Sequence, residues 1–522
     1  MKRLLASSGP WWALGLLSAL VATLQVSPVV NPPRWDECIV LYDAWRTVTG
    51  EVPYRDFFNF LPPGCFFFFG GLFRLEGSPG LASARWLMVL LVLLAAAAVL
   101  YALRRRGVPL CRAAPAAFLL PAGLFPFWGV PSHHWLAAVA WALFFLVLAA
   151  PREEAIPPWR WAAAGAVAGT GALVLQSDGL LMGVAGMVRV LLEREGRSRK
   201  VSSFAAGGLP PLLAAGLWLL LHGALGGFFR DALLWPLGHY SRPGSENYRA
   251  LLEDLPGRLG LLGELALREG GPGRWTALLS GGLLYALLLL LALAIVAAAV
   301  AFPLKALGRR RMGDPWTAAA SAATLASLAL FARGNPNWLH LVFALWPLLL
   351  LWSFALAPGE KTTRGAPLLA LLLLLSALLY HSRALAFHLP EAWEFTDPGR
   401  TLRESPVNVW LRTSAGLQPG DRIAAFPEGG EVYLFTRPAG IGFTYFTPLS
   451  AGYLDGKDHE RAAARMESVR CSLVLLPVEM EAAYLDPASA VGRLLGGKYL
   501  REGTVAGAVV YRWKEPGGRP SP

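Results

Sequence analysis

Two adjacent acids, Asp36 and Glu37, follow the prolines Pro32 and Pro33, with more prolines at 53, 62 and 63. Prolines limit how far the backbone around such a pair can move. A carboxylate held here could take the proton of an incoming hydroxyl as a general base, or bind a divalent cation. The same two residues could instead cap and begin a helix that carries Tyr42 and Trp45. Three further positions combine polar chemistry with short turns. Pro131-Ser-His-His-Trp135 offers His133 and His134 as a metal ligand, a substrate contact, or interfacial residues before the next apolar run. Gln176-Ser-Asp178-Gly179 sets an acid where an apolar run resumes, a costly position that suits either a site or a helix cap. Arg333-Gly-Asn-Pro-Asn-Trp-Leu-His340 holds an arginine able to fork onto phosphate oxygens, or to snorkel at an interface.

The elements that position these residues are long apolar runs. The chain of 522 residues is 55% hydrophobic and 16% charged, with mean hydropathy +0.45. Soluble domains carry about 25% charge. Runs of about 20 apolar residues match the thickness of a hydrocarbon core. Trp11 to Val26, behind Lys2 and Arg3, reads as a retained first span with its N-terminus in the cytoplasm, because no small-residue cleavage site follows. Further spans are expected near 84–103, 112–129, 133–149, 161–177, 179–192, 203–222, 276–302, 315–332, 338–357 and 366–385. That makes an α-helical polytopic membrane protein of about 11 spans. The stretch 179–192 is the shortest and could be re-entrant.

The net charge of +12 has a pattern that excludes nucleic-acid binding. The excess sits in clusters between apolar runs, at Arg104–Arg106, Arg194–Lys200 and Lys305–Arg311. Such clusters follow the positive-inside rule, whereas a nucleic-acid face gathers its cations on one folded surface. Alternate counting from a cytoplasmic N-terminus puts these clusters inside. It leaves three larger segments outside: 27–83, 223–275 and the tail 386–522. The segment 223–275 holds Arg230, His239, Tyr240, Arg242 and Tyr248, with an amphipathic stretch at 249–267 that could lie on the membrane. The tail alternates strand-like runs (Arg422–Phe426, Glu431–Phe435, Ser472–Leu476, Ala508–Trp513) with a helical candidate at 487–497. The expected organisation is a membrane domain over 1–385 and a small extracytoplasmic α/β domain over 386–522. A domain of about 120 residues can bury a core, so 395–515 is expected to fold alone. Four cysteines at 38, 65, 111 and 471 have no metal-like spacing, and free half-buried thiols are expected at Cys38 and Cys65. No phosphate loop, His-Glu-x-x-His or Gly-x-Ser-x-Gly is present, which argues against an ATP-driven transporter subunit, a zinc protease and a serine hydrolase.

The acid pair after the first span, the element Gly50-Glu-Val-Pro-Tyr-Arg-Asp-Phe-Phe58, and Pro62-Pro63-Gly64 before an aromatic run together resemble the polytopic GT-C glycosyltransferases. The likeness is to their bacterial branch related to protein mannosyltransferases and lipid A aminoarabinose transferases. It covers the whole chain as topology, and its motifs centre on 35–64, with weaker matches at 176–179 and 333–340. It implies transfer of a sugar from a polyprenyl-phosphate carrier to a glycan, lipid or protein acceptor at the outer face of a bacterial cytoplasmic (inner) membrane. Asp36 then matches the base and, less firmly, Glu37 the second acid. Tyr54, Arg55, Asp56, His133, His134, Asp178, Arg333 and His340 are the implied substrate contacts, with Arg333 on the carrier phosphate. Some relatives use a divalent metal and others need none, so the cofactor stays open. A transporter or flippase for a lipid-linked saccharide, or an inactive scaffold of this kind, is the alternative. Transporters place ionisable groups near the bilayer midplane, whereas here the polar groups gather at the outer ends of the spans.

Overall fold

The computed structural model describes residues 29, 35–125, 129–151, 154–193, 195–239, scattered positions within 287–301, and 315–333, 338–355, 403–418, 421–426, 432, 439–440 and 456–514. The spans expected at 11–26 and 366–385, most of 276–302, the amphipathic stretch 249–267 and nearly all of the strand-like run 431–435 lie outside these residues. In chain order the longer elements are α1 (Trp35–Val48), α2 (Gly64–Glu76), α3 (Leu81–Arg105), α4 (Leu110–Leu119), α5 (His133–Leu148), α6 (Pro158–Val174), α7 (Gln176–Leu191), α8 (Arg197–Leu221), α9 (Pro315–Arg333), α10 (Trp338–Ala355) and α11 (Pro406–Thr413). There follow β1 (Arg422–Ala425), β2 (Ala439–Gly440), α12 (Gly456–Ser468), β3 (Leu473–Pro477), α13 (Ala490–Lys498), β4 (Tyr499–Val505) and β5 (Ala508–Trp513).

The chain divides into two compact units, each drawn from separate stretches. The first comprises residues 1–31, 83–217 and 246–396; the second comprises 32–82, 218–245 and 397–522. The first unit holds most of the apolar helices. Among the described residues, Leu81–Arg105 and Arg197–Leu221 are long and apolar enough to cross a membrane. α6 and α8 cross where both are stripped of side chains. A Cβ on Gly165 would strike the Phe204 carbonyl, and one on Gly207 would strike the Ala162 carbonyl. Small residues at such a crossing let helix backbones approach where lipid gives no hydrophobic drive to pack. Side-chain donors add polar links between helices. Trp346 Nε1 donates to the Ala116 carbonyl at 3.1 Å, joining α10 to α4. Trp352 Nε1 donates to Thr324 Oγ1 at 3.2 Å, joining α10 to α9. α4 holds Pro115 and runs into a π turn, Leu120–Leu124, with Pro121 in it, so the backbone bonds that proline removes are re-registered locally.

The second unit packs α1 on α2 and carries the sheet. Its strand order is β2-β1-β3-β5-β4, parallel on one side of β3 and antiparallel on the other. β3 is central and buried along Leu473–Leu476, as a strand covered on both faces should be. β4 and β5 form a hairpin closed by Ala506 and Gly507, both at positive φ (48° and 83°), the geometry of a two-residue type I′ turn. The sheet core takes Val474, Leu476, Met466, Leu495 and Tyr511, and with them Phe58 and Trp235 from elsewhere in the chain. Phe58 meets the Trp235 ring edge-on at 5.3 Å, and Phe60 stacks on the same ring at 5.5 Å.

This core revises the expectation that the tail folds alone. Residues 395–515 lack Phe58, Phe60 and Trp235, which complete the apolar cluster. Burying one large side chain is worth about 1.5–3 kcal/mol. The expected result for the isolated fragment is a broadened, poorly dispersed amide spectrum that sharpens when a peptide spanning 50–64 is added. Full dispersion of the fragment by itself would show that the sheet supplies enough core.

Candidate functional site

Five of the residues picked from the sequence fall in the second unit. Asp36 and Glu37 are the second and third residues of α1. A first-turn carboxylate there is favoured by the N-terminal end of the helix dipole. The Asp36 side chain lies outside the described atoms, while Glu37 is fully buried beside Cys38. Cys38, Cys65 and Cys471 are free and fully buried, so the reading of free thiols at 38 and 65 stands, with deeper burial than expected. Burial, with the Asp43 charge behind it, holds the Cys65 thiol well above its ordinary range.

The Gly-x-x-Pro-Tyr-Arg-Asp-Phe-Phe element is a knotted turn. Asp56 accepts the Val52 amide at 2.7 Å, its own amide donates to the Val52 carbonyl at 2.9 Å, and the Tyr54 amide donates to the Phe57 carbonyl at 2.8 Å. Tyr54 sits at φ 68°, a region a bulky residue rarely occupies. Its hydroxyl donates to the Leu61 carbonyl at 2.5 Å, and its ring lies edge-on to Phe228 at 5.3 Å. Backbone strain of this kind persists only where neighbours over-determine it, and it gathers at functional loops. A Cβ on Gly227 would collide with the Tyr54 carbonyl, so that glycine is what lets segment 225–228 approach. Burial pushes the Tyr54 phenol well up, and the Cys65, Asp231 and Asp43 groups add to it. Asp56 is raised by burial but ends below the usual carboxylate range, because the Arg55 and Val52 hydrogen bonds and the Arg55 and Arg465 charges favour its anion. Tyr54 and Asp56 thus direct their polar atoms inward. Arg55 is nearly half exposed, holding Asp56 through both Nε (2.9 Å) and Nη2 (2.7 Å) and donating to the His222 carbonyl at 3.2 Å.

Below the acid pair, α1 carries a buried charge chain that the sequence did not disclose as a unit. Arg46 is 3.5 Å from Asp43 and donates from Nε to Glu51 at 2.5 Å, with its guanidinium 4.0 Å over the Phe57 ring. Asn59 donates to Asp43 at 2.7 Å, and Arg422 at the start of β1 reaches Glu51 at 3.3 Å. Asp43 is wholly buried and Arg46 nearly so. Burial pushes the Tyr42 phenol up to about 12, with Arg46 opposing and Glu51 and Asp43 adding. A second buried acid, Asp231, accepts from Arg230 at 2.7 Å and pairs with Arg461 of α12 at 3.4 Å. The Asp43–Arg46 spacing of three on one helix was available as a signal. The pairings of Glu51 with Arg422 and Asp231 with Arg461 span too much sequence for any local pattern to find.

The other five fall in the first unit. His133 and His134 begin α5 behind Ser132, whose hydroxyl accepts the Trp135 amide as the N-cap. Their rings lie 4.0 Å apart, and His134 stacks on Phe343 of α10 at 3.9 Å. Asp178, in the first turn of α7, accepts the Trp141 indole N–H at 2.8 Å and the Ser177 hydroxyl at 3.2 Å. Its partner therefore lies on the neighbouring helix α5, an alternative to the cap or substrate roles that the sequence suggested. Arg333 ends α9 and His340 lies in the first turn of α10, and both side chains are outside the described atoms. Among the described residues, no group of three or more His, Cys, Asp and Glu is arranged to hold a metal ion.

No protein-family model matches the chain, and no curated protein matches it. Solved structures do. ArnT from Cupriavidus metallidurans in the apo state is similar with TM-score 0.55 and 13% identity, over 97% of this chain and 98% of that one. The same protein bound to undecaprenyl phosphate gives 0.52 over the same shares. The Archaeoglobus fulgidus oligosaccharyltransferase tethered with an acceptor peptide, at TM-score 0.49, 13% identity and 98% and 75% coverage, carries no weight beside these. The chain shares the overall fold of these ArnT structures, mostly helical with a small sheet.

Proposed function

We propose that this chain transfers a sugar from a polyprenyl-phosphate-linked donor to an acceptor at the extracytoplasmic face of a bacterial inner membrane, with Asp36 as the general base. The observation that carries the reading is a GT-C fold spanning nearly the whole chain, with an acid pair opening the first helix of its first long loop. In this reading the acceptor oxygen attacks the anomeric carbon. The new carbon–oxygen bond forms as the bond to the phosphate oxygen breaks, and the polyprenyl phosphate leaves with that electron pair. Asp36 takes the hydroxyl proton as the bond forms. Glu37, buried and held by its surroundings, supports the first turn of α1. Arg55, His133, His134 and His340 contribute to donor and acceptor binding, while Tyr54, Asp56 and Asp178 hold the turn and helices on which they lie. Asp36 carries the carboxylate oxygens that would suit a divalent metal.

The experiment is incubation of the purified protein with a panel of polyprenyl-phosphate sugars and detection of released carrier phosphate. Release from at least one donor, dependent on an acceptor, supports transfer. Transport of labelled lipid-linked saccharide without any release would support the transporter alternative instead.

Arg333 holds the anionic part of the donor in this reading. Arg333→Ala is expected to weaken donor binding with little change in insertion, and Arg333→Lys to restore it in part, because lysine lacks the planar fork. Unchanged donor affinity in the alanine variant would return Arg333 to an interfacial role. The same reading places Lys457 and Lys498 outside the cytoplasm and Arg309 inside. Reporter fusions at residue 314 and at the C-terminus are expected to report opposite compartments, and agreement between them would put the span count wrong by an odd number.

A further inference from the structure

Helix ends of the first unit meet around a group of cations that the proposed reaction does not use. Arg189 stands in the last turn of α7, Lys200 in the first turn of α8, Trp161 in the first turn of α6 and Trp316 in that of α9. Arg160 ties in the end of α5, donating to the Val147 and Ala149 carbonyls at 2.5 Å each. Arg106, just past α3, and Arg189 both reach the buried Trp316 ring, 5.5 and 5.6 Å from its centroid. Arg189 and Lys200 share the Glu193 carboxylate, Arg189 at 2.5 Å, so two positive charges stand against one. Lys200 is buried, and the Arg189 side chain is only 13% exposed. Among the described residues, Arg189 Nε has no hydrogen-bond partner. Neither has Nε1 of the fully buried Trp161, whose ring centroid is 6.0 Å from the Arg189 guanidinium. Buried charges need matching partners, and a buried donor left without an acceptor is costly. The surface beside the group is basic and aromatic: Arg104, Arg105 and Arg197 are exposed, and so are Tyr101 and Trp159. Such aromatics and arginines mark a membrane interface, where basic pockets between helices take anionic headgroups.

We propose that Arg189, Lys200 and Trp161 form a binding site for the phosphate of an anionic phospholipid, in the leaflet at this end of the first unit. Counting spans from the sequence puts that leaflet on the cytoplasmic side. A phosphodiester supplies the oxygens that Arg189 Nε and Trp161 Nε1 lack, and its charge balances the cation left over once Glu193 is paired. The exposed tyrosine, tryptophan and arginines suit the plane of a headgroup, which favours a lipid over a soluble phosphate. The site presupposes that the chain spans a membrane, but it takes no residue from the proposed transfer. Loss of lipid binding therefore leaves the reaction standing, and loss of the reaction leaves this site standing.

The test is titration of the purified full-length protein in neutral detergent with short-chain phosphatidylglycerol, short-chain phosphatidylcholine and glycerol 3-phosphate, read by native mass spectrometry. Saturable binding of phosphatidylglycerol is expected, at least about tenfold tighter than phosphatidylcholine. Arg189→Gln should weaken it roughly ten- to a hundredfold, and Arg189→Lys should recover part of the loss. Arg197→Gln, on the exposed rim, should cost about fivefold or less. Glu193→Gln strips Arg189 and Lys200 of their shared carboxylate and should tighten binding, an effect that a purely structural ion pair would not produce. Circular dichroism and the melting temperature establish that each variant is folded, and Lys200→Gln carries the same test if Arg189→Gln does not fold. Equal binding of the two lipids, equal losses at Arg189 and Arg197, or weaker binding in folded Glu193→Gln overturns the site. Glycerol 3-phosphate binding as tightly as phosphatidylglycerol identifies a soluble occupant and overturns the lipid assignment.

Discussion

Asp36→Asn is expected to insert normally, to bind donor nearly as well as the parent, and to turn over at least about a hundredfold more slowly. A sugar on a phosphate carrier already has a good leaving group, so the remaining difficulty is the nucleophile. A neutral hydroxyl attacks poorly unless a carboxylate takes its proton as the bond forms, help worth about 10²–10⁴ in rate. Asparagine keeps the size and much of the hydrogen bonding but is no base. Asp36 sits in the first turn of α1, a helix fixed along its length by the packing of α2 and by the buried Arg46 below. The substitution is therefore expected to leave the scaffold intact. Glu37→Gln should do less to turnover unless a metal is required. The measurement is single-turnover release of carrier phosphate with a known donor and acceptor, beside donor binding in the same preparation. Parental turnover in Asp36→Asn would remove that residue as the base, and with it most of the mechanism.

The largest structural effect is expected at Arg46. Arg46→Met keeps much of the volume over the Phe57 ring but leaves Asp43 buried without its arginine, with Asn59 still donating to it. Removing one partner of a buried pair costs about 3–5 kcal/mol, far more than the pair adds over an apolar substitute. The second unit of Arg46→Met should unfold at a clearly lower temperature, while the double variant Asp43→Asn/Arg46→Met should recover much of the loss. That recovery is the signature of coupling between neighbours, and strictly additive losses would show that the two residues act separately. By contrast Arg422→Met, at the partly exposed end of the same chain, should cost only about 0–1 kcal/mol.

The apolar helices were legible because they are long uniform apolar runs. The stretches 133–149 and 315–332, expected as spans, form the helices His133–Leu148 and Pro315–Arg333. The strands Arg422–Ala425, Leu473–Pro477 and Ala508–Trp513 were legible for a related reason, since each is an apolar or β-branched stretch bounded by turn residues. β4 was not, because Tyr-Leu-Arg-Glu-Gly-Thr-Val carries charge and glycine along a sheet edge, where polarity protects against stray pairing. α12 escaped notice because Gly-Lys-Asp-His-Glu-Arg-Ala-Ala-Ala-Arg-Met-Glu-Ser has no apolar run, only helix propensity and a narrow stripe through Ala462, Ala463 and Met466. The acid pair and the Tyr-Arg-Asp element could be found as motifs, yet the inward turn of Tyr54 and Asp56 could not. It depends on Leu61, Gly227 and Phe228 arriving from other parts of the loops.

The second unit is stitched from three stretches of chain, and this sets a timetable for its assembly. Translation delivers residues 32–82 first, but their sheet partners begin only at Asp397. With synthesis at about 5–20 residues per second, the intervening roughly 300 residues take on the order of 15–60 s. Throughout that interval Phe58 waits without the core it will enter, and the acceptor half of the Glu51–Arg422 pair waits with it. Contacts of such long sequence separation form late and slowly. The newborn loop is therefore a natural client for whatever chaperones guard the compartment into which it emerges. A nascent chain stopped before residue 397 would present that unfinished surface to quality control as a single recognisable lesion.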